Sequence, residues 1–245
     1  MLSLQHISKS SNGNKILKDI NLAIPLGKMV GLLGPNGSGK STLLKLICRI
    51  VKPTKGIIQF EEKPLIEKSL SQISVFLEGN TFPPWMKIND TAYFYQKSFL
   101  DFDAEKYHKL IEAFSIDPME KIANQSKGNL TKIKLILALS RKAKLFLLDE
   151  PLDGLDFLSR QKCLDLIIDA FTEECSMIFS SHFVKELERL FTVVIFLQEG
   201  KIRLMGDAED LRIEYGKSIN EIYQEIYRPC CLYWSMNSEA VGAAI

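Results

Sequence analysis

Apolar residues follow two periods along this chain. Met29-Val30-Gly31-Leu32-Leu33, Leu145-Phe146-Leu147-Leu148 and Met177-Ile178-Phe179 are short and almost wholly apolar. Runs of that length and character predict strands covered on both faces. Leu2 to Ser8 and Ile20 to Ile24 predict two further strands with Gly13-Asn14 as the turn between them. Ile57-Ile58-Gln59-Phe60, after the turn Pro53-Thr54-Lys55-Gly56, reads as an antiparallel strand, and Val193 to Leu197 with Lys201 to Leu204 read as a hairpin about Glu199-Gly200. The helical period begins with Leu43-Leu44-Lys45-Leu46-Ile47 and returns from about Asp101 to Ser140. There Tyr107, Leu110, Ile111 and Phe114 fall at i, i+3, i+4 and i+7, with Asp103 placed as N-cap. Ile219, Ile222, Tyr223 and Ile226 form a last amphipathic face before Pro229. Strand alternating with helix predicts an α/β core, interrupted by an all-helical insert over about residues 86–140. From Cys230 to Ile245 no period is visible, and a disordered tail is expected.

Composition narrows the classes. The 245 residues are 46% hydrophobic, enough for one large α/β domain or a core with an inserted subdomain. A net charge of +1 supplies no basic footprint, so nucleic acid is not expected as a partner. Five cysteines without C-x-x-C spacing indicate neither zinc nor a disulfide framework and suit a reducing cytosol. The first residues lack the basic-then-apolar pattern of a secretory signal, and no apolar run reaches the ~20 residues of a membrane span. Work at a membrane would need another chain to supply the spans.

The chemistry is concentrated after two of the apolar runs. Gly34-Pro35-Asn36-Gly37-Ser38-Gly39-Lys40-Ser41-Thr42 is a G-x-x-x-x-G-K-S phosphate loop set between a predicted strand and a predicted helix. Its glycines let successive backbone N–H groups point at one phosphate, and the helix N-terminus adds partial positive charge. Lys40 is placed to reach the β/γ-phosphates and the Ser41 hydroxyl to ligate Mg²⁺, so the chain is expected to bind a nucleoside triphosphate. Leu148 is followed by Asp149-Glu150-Pro151, two carboxylates at the C-terminal end of a parallel strand, where ligands of open α/β sheets bind. Taken alone, acids ending a strand are common in turns. After a phosphate loop, Asp149 is suited to hold Mg²⁺ through water and Glu150 to orient or deprotonate a water attacking the γ-phosphate.

The phosphate loop, Ser126-Lys127-Gly128-Asn129, Leu148-Asp149-Glu150-Pro151, Leu152-Asp153-Gly154-Leu155-Asp156 and Ser181-His182, in this order, resemble the nucleotide-binding subunit of a bacterial ABC transporter over about residues 1–215. The resemblance implies a P-loop NTPase core of ABC-ATPase type, with an antiparallel β subdomain and the helical insert; residues 216–245, beyond it, are expected from their own pattern to hold a C-terminal helix and tail. It also implies ATP and Mg²⁺ as cofactors, a second ATP-binding subunit, an integral-membrane permease, and a peripheral position at the cytoplasmic face of the membrane. Ser126 and Gly128 match the family signature, whose hydroxyl, N–H groups and helix dipole cap the γ-phosphate held by a second subunit; bacterial members also carry a lysine at the position of Lys127. His182 matches the histidine that contacts the γ-phosphate and Glu150, and Asp156 the acid of the loop joining the two ATP sites. His6 and His108 have no such context.

Two positions depart from the family pattern. Ser11 stands where an aromatic residue usually stacks on adenine, and Glu78 where a glutamine usually contacts the Mg²⁺/water site; related bacterial members carry Glu there, and a carboxylate can still serve Mg²⁺. The loop continuing to Phe82, Trp85 and Met86 is expected either to dock a permease helix or to plug the local core. The leading expectation is an ATP-hydrolysing subunit powering a permease, with export favoured. The alternative is a soluble ABC-type ATPase acting as a nucleotide-dependent switch or assembly factor. A GTP switch is rejected, because Asn14-Lys15-Ile16-Leu17 precedes the phosphate loop and lacks the aspartate of a guanine motif.

Overall fold

The computed structural model describes residues 1–79 and 82–227. The expectation of a disordered tail, with Cys230 and Cys231, therefore lies outside the described residues. Ten strands and eight α-helices are described: β1 (Leu2–Ser11), β2 (Asn14–Ile24), β3 (Met29–Leu33), α1 (Lys40–Ile47), β4 (Lys55–Phe60), β5 (Lys63–Pro64), β6 (Ile73–Phe76), α2 (Ile88–Ser98), α3 (Ala104–Ala113), α4 (Lys127–Leu139), β7 (Leu145–Asp149), α5 (Phe157–Ala170), β8 (Ser176–Ser181), α6 (Val184–Leu187), β9 (Val193–Gln198), β10 (Lys201–Asp207), α7 (Ala208–Tyr215) and α8 (Ile219–Tyr227). They form an α/β fold with two sheets. The larger has the order β10-β9-β3-β8-β7-β6 and the smaller β2-β1-β4-β5. In the larger sheet β9, β3, β8, β7 and β6 run parallel, and β10 closes one edge as the antiparallel arm of a hairpin.

The apolar runs behave as their lack of alternation requires. On β3, Met29 and Leu33 enter one core, shared with Phe146, Leu148, Phe179 and the helices of the 88–139 segment. Val30 and Leu32 enter the other, shared with Leu145, Leu147, Ile178, α1 and the antiparallel sheet. Both faces of the parallel sheet are thus dry, which is why its strands carry no polar face. In α3, Asp103 is the N-cap and accepts from Lys106 N at 2.9 Å, while Tyr107 and Ile111 are buried. On α8, Ile219 and Ile222 are buried as the last amphipathic face.

Three details differ from the sequence reading. The first turn is Asn12-Gly13, both at positive φ (48° and 80°), and Ser11 pairs with Asn14. Two consecutive left-handed residues make the tight hairpin turn whose twist matches its strands. The helical segment starts at Ile88, earlier than the period indicates, because Tyr93 and Phe94 of α2 are exposed and blur its stripe. Strand β6 has no counterpart in the sequence reading, since Ser74 interrupts its apolar run; the Ser74 hydroxyl donates to the Ala138 carbonyl at 2.7 Å, so its polarity is satisfied inside the core. Among the described residues no helix is long and apolar enough to cross a membrane.

Candidate functional site

The parallel sheet delivers its chemistry at one edge. The phosphate loop follows β3, Asp149 and Glu150 end β7, and His182 follows β8, so all three groups leave the carboxyl ends of adjacent strands. A cavity of about 850 Å³ opens there, lined by Asn36, Gly37 and Ser41 on one wall and by Glu78, Asp149, Glu150 and His182 around them. Lys45, Lys127, Lys134 and Asp153 complete its charged lining. Cations and carboxylates side by side suit a polyphosphate carried with a divalent cation.

The loop backbone is shaped for an anion. A Cβ on Gly34 would stand 2.4 Å from the Leu197 carbonyl oxygen, so glycine is required for the close approach of β3 to β9. Gly39, at φ 111°, is the N-cap of α1, which has no side-chain cap and no acidic residue in its first turn. Its leading N–H groups are left for another acceptor. Lys40 is buried, 6% exposed, and its ammonium donates to the carbonyls of Gly34 at 2.7 Å and Pro35 at 3.3 Å. It also lies 3.6 Å from Glu150 Oε1.

Asp149 is the most enclosed carboxylate, 2% exposed. Its Oδ1 accepts from Ser41 Oγ at 3.1 Å and from Ser180 Oγ at 2.5 Å, while its buried Oδ2 has no protein partner among the described residues. An orphaned buried carboxylate oxygen beside a serine hydroxyl is a hard-oxygen pair of the kind Mg²⁺ takes when phosphates and waters fill its other positions. The residues present therefore fit that ion.

Ser180 is a participant that reading motifs along the chain missed. Its hydroxyl donates to Asp149 and accepts from the backbone N–H of Glu150 at 2.9 Å, and its carbonyl accepts from the same N–H at 3.1 Å. Glu150 adopts φ 48°, a left-handed conformation costing about 1–2 kcal/mol for a residue with a side chain. Ser180 supplies the contacts that hold it there. The available signal was register: β7 and β8 pair Asp149 with Ser180. The Glu150 side chain then meets His182, whose Nδ1 lies 2.9 Å and whose backbone N lies 3.3 Å from Oε2. An ionised carboxylate only accepts, so Nδ1 carries the ring proton in this contact.

The remaining expected residues lie at different depths. Ser126 is exposed as N-cap of α4 and accepts from Asn129 N at 3.1 Å; Gly128 follows it in the first turn. Lys127 reaches over to Asp153 at 3.5 Å, both side chains largely exposed, a pair of little energetic weight. Asp156 is the N-cap of α5, and hydrogen bonds from Ser159 hold its carboxyl below the usual range. Glu78 is exposed on the cavity wall. Its loop is gripped by Lys134 of α4, another residue the motifs did not indicate, whose ammonium donates to Leu77 O and Gly79 O, each at 2.5 Å. Burial lowers the Lys134 pKa, with Glu78 acting against that shift. Ser11 is exposed at the end of β1 and does not line the cavity. Beneath the phosphate loop, the Tyr227 hydroxyl of α8 donates to Leu33 O at 3.2 Å and Leu197 O at 3.0 Å.

The chain is similar in sequence and in fold to known proteins. Residues 17–153 match the family model described as ABC transporter. The ABC transporter ATP-binding protein YtrB of Bacillus subtilis (strain 168) is 30% identical over 226 residues, 89% of this chain and 75% of its own. The lantibiotic transport ATP-binding protein SrtF of Streptococcus pyogenes is 32% identical over 209 residues, 83% of this chain and 90% of its own. A solved dimeric, post-hydrolysis state of the ATP-binding cassette MJ0796 with ADP and Pi superposes with TM-score 0.75 at 20% identity, over 84% of this chain and 98% of that one, a likeness of fold. With the family model covering more than half of its length, the chain belongs to the ATP-binding proteins of the ABC transporter family.

Proposed function

We propose that this chain binds ATP with Mg²⁺ and hydrolyses it, in a pair of ATP-binding chains that powers a separate membrane permease, with export the favoured direction. The observation that carries this reading is the convergence of Ser41, Asp149, Glu150 and His182 on one cavity behind a phosphate loop, with Lys40 buried next to Glu150. The loop from Asn36 to Thr42 wraps the phosphates with its free backbone N–H groups, and Lys40 turns from its loop carbonyls to the β/γ-phosphates. Ser41, Asp149 and Glu78 hold Mg²⁺ directly or through water. When bound, the ion neutralises charge on the phosphates. Glu150, fixed by Ser180 and His182, orients the attacking water and takes its proton. Ser126 stands exposed and Gly128 half-buried at the start of α4, where a second chain's nucleotide can be capped. The dimeric MJ0796 cassette is a precedent for that pairing.

Glu150→Gln keeps the shape of the site and removes the base. Phosphate release should fall by about 10²–10⁴, with ATP binding retained and an ATP-dependent dimer accumulating on size exclusion. Unchanged turnover would falsify the assignment.

The permease, and with it a peripheral position at the cytoplasmic membrane face, is supported by a second, apolar cavity of about 400 Å³ beside the first. Phe82, Pro83, Met86, Phe94, Tyr95 and Phe99 line it. Phe82 packs on the helical core, whereas Trp85 is 69% and Phe94 55% exposed. The pair proposed for docking is Phe94, on the cavity wall, with Trp85, exposed outside it; Phe82 and Trp85 are the pair that the sequence indicates. Trp85→Ala with Phe94→Ala should abolish co-purification of the permease from detergent-solubilised membranes and leave ATP binding intact. Persistent co-purification would move the interface elsewhere.

A further inference from the structure

Lys134 stands at the wall between the two cavities and lines both. It lies two turns into α4, the helix that Ser126 caps. Its ammonium donates to the carbonyls on either side of Glu78, those of Leu77 and Gly79, and stands 4.9 Å from the Phe76 ring centroid. The segment it grips divides between the cavities: Phe76, Glu78 and Gly79 line the charged one, Val75 and Leu77 the apolar one. A cation partly withdrawn from water needs such acceptors, because desolvation is costly unless carbonyls, a ring face or an opposite charge replace the lost water. Both carbonyls belong to a loop rather than to a strand ladder. The contact therefore fixes backbone that the sheet leaves free, since β6 ends at Phe76.

We infer that Lys134 is a positioning residue for Glu78: by clamping the carbonyls of Leu77 and Gly79 it holds the Glu78 carboxylate on the wall of the charged cavity and ties that carboxylate to the helix headed by Ser126. The inference rests on the proposed reading of Glu78 as a group serving Mg²⁺. The role assigned to Lys134 involves no contact with nucleotide or ion. Its effect passes through the loop, so it must vanish when Glu78 no longer has a carboxylate to place.

The test uses the purified chain with Lys134→Met, Lys134→Arg, Glu78→Gln and the double variant Glu78→Gln/Lys134→Met. The first readout is hydrogen exchange of the backbone amides of residues 76–79 without nucleotide. The second is equilibrium binding of ATP with Mg²⁺ and with EDTA, which isolates the gain that the ion provides. In Lys134→Met, exchange should rise in that loop alone, and the half-saturating Mg²⁺ concentration should rise about 10–100-fold, the usual effect of losing a group that orients a ligand. Binding in EDTA should stay within about twofold. Lys134→Arg, which keeps the charge and the donors, should restore most of the loss. The double variant should be no worse than Glu78→Gln. A normal Mg²⁺ requirement in Lys134→Met beside a shifted one in Glu78→Gln overturns this inference alone, as do additive effects in the double variant. An unshifted requirement in Glu78→Gln overturns the reading of Glu78 and this inference with it. If Lys134→Met does not fold, Lys134→Gln takes its place under the same criteria.

Discussion

The two ends of the charged cavity are built in opposite ways. At the phosphate-loop end four key side chains are fixed by their own chain: Lys40 lies under loop carbonyls, Ser41 and Ser180 share one oxygen of Asp149, and Glu150 is held by Ser180 and His182. At the α4 end the Ser126 side chain makes, among the described residues, only the N-cap bond to its own helix, and Lys127 an exposed pair with Asp153. The first end is pre-organised for a ligand, with one buried carboxylate oxygen still lacking a partner. The second presents donors to open space. On the proposed function that asymmetry is the form a half-site takes: one chain supplies a finished cradle and an unfinished lid, and a second chain completes both.

Separating binding from turnover is the sharpest way to break this contrast. Lys40→Ala should weaken ATP binding by the isolated chain about 10–100-fold, because a charge-assisted contact to phosphate is lost. Titration calorimetry on the monomer checks it. Ser126→Ala should leave that monomer affinity unchanged and lower turnover about tenfold, the value of one hydrogen bond to a charged group. If Ser126→Ala weakens binding by the monomer, the two ends form one site within a chain and the contrast collapses. The smallest effect concerns Asp156, behind the α4 end. Its carboxyl is held below the usual range, so between that depressed folded value and 3.8 the unfolded chain binds more protons. Its contribution is therefore complete above about pH 3.8 and is lost as pH falls through the folded value. Asp156→Asn should flatten the acid limb of a thermal-melt series; an unchanged limb would show that other carboxylates dominate it.

The same contrast explains what could be read from sequence. The cradle was legible because its residues follow one another: Gly34 to Thr42 and Leu148 to Glu150 carry their chemistry at fixed spacing on strands whose apolar runs announce them. Ser180 and Lys134 were not legible, because a serine ending a strand and a lysine on a helix look ordinary until register sets one beside Asp149 and packing sets the other on the Glu78 loop. Asp156 illustrates the converse. It carries a family motif, and the structure gives it the everyday work of a helix cap. Trp85 and Phe82 were alike as aromatic loop residues, and only burial separated them.

Tyr227 gives the site a place in time as well as in space. Its hydroxyl closes onto Leu33, 194 residues earlier, and onto Leu197, 30 residues earlier, at the root of the phosphate loop. A chain is made from its N-terminus at about 5–20 residues per second. The loop whose motif is complete in nine consecutive residues is thus among the last parts to gain all its supports. For about 10–40 s of synthesis after Leu33 is joined, the Tyr227 hydroxyl is absent from its root. A nascent chain halted before that residue would carry every nucleotide motif and still lack this tether.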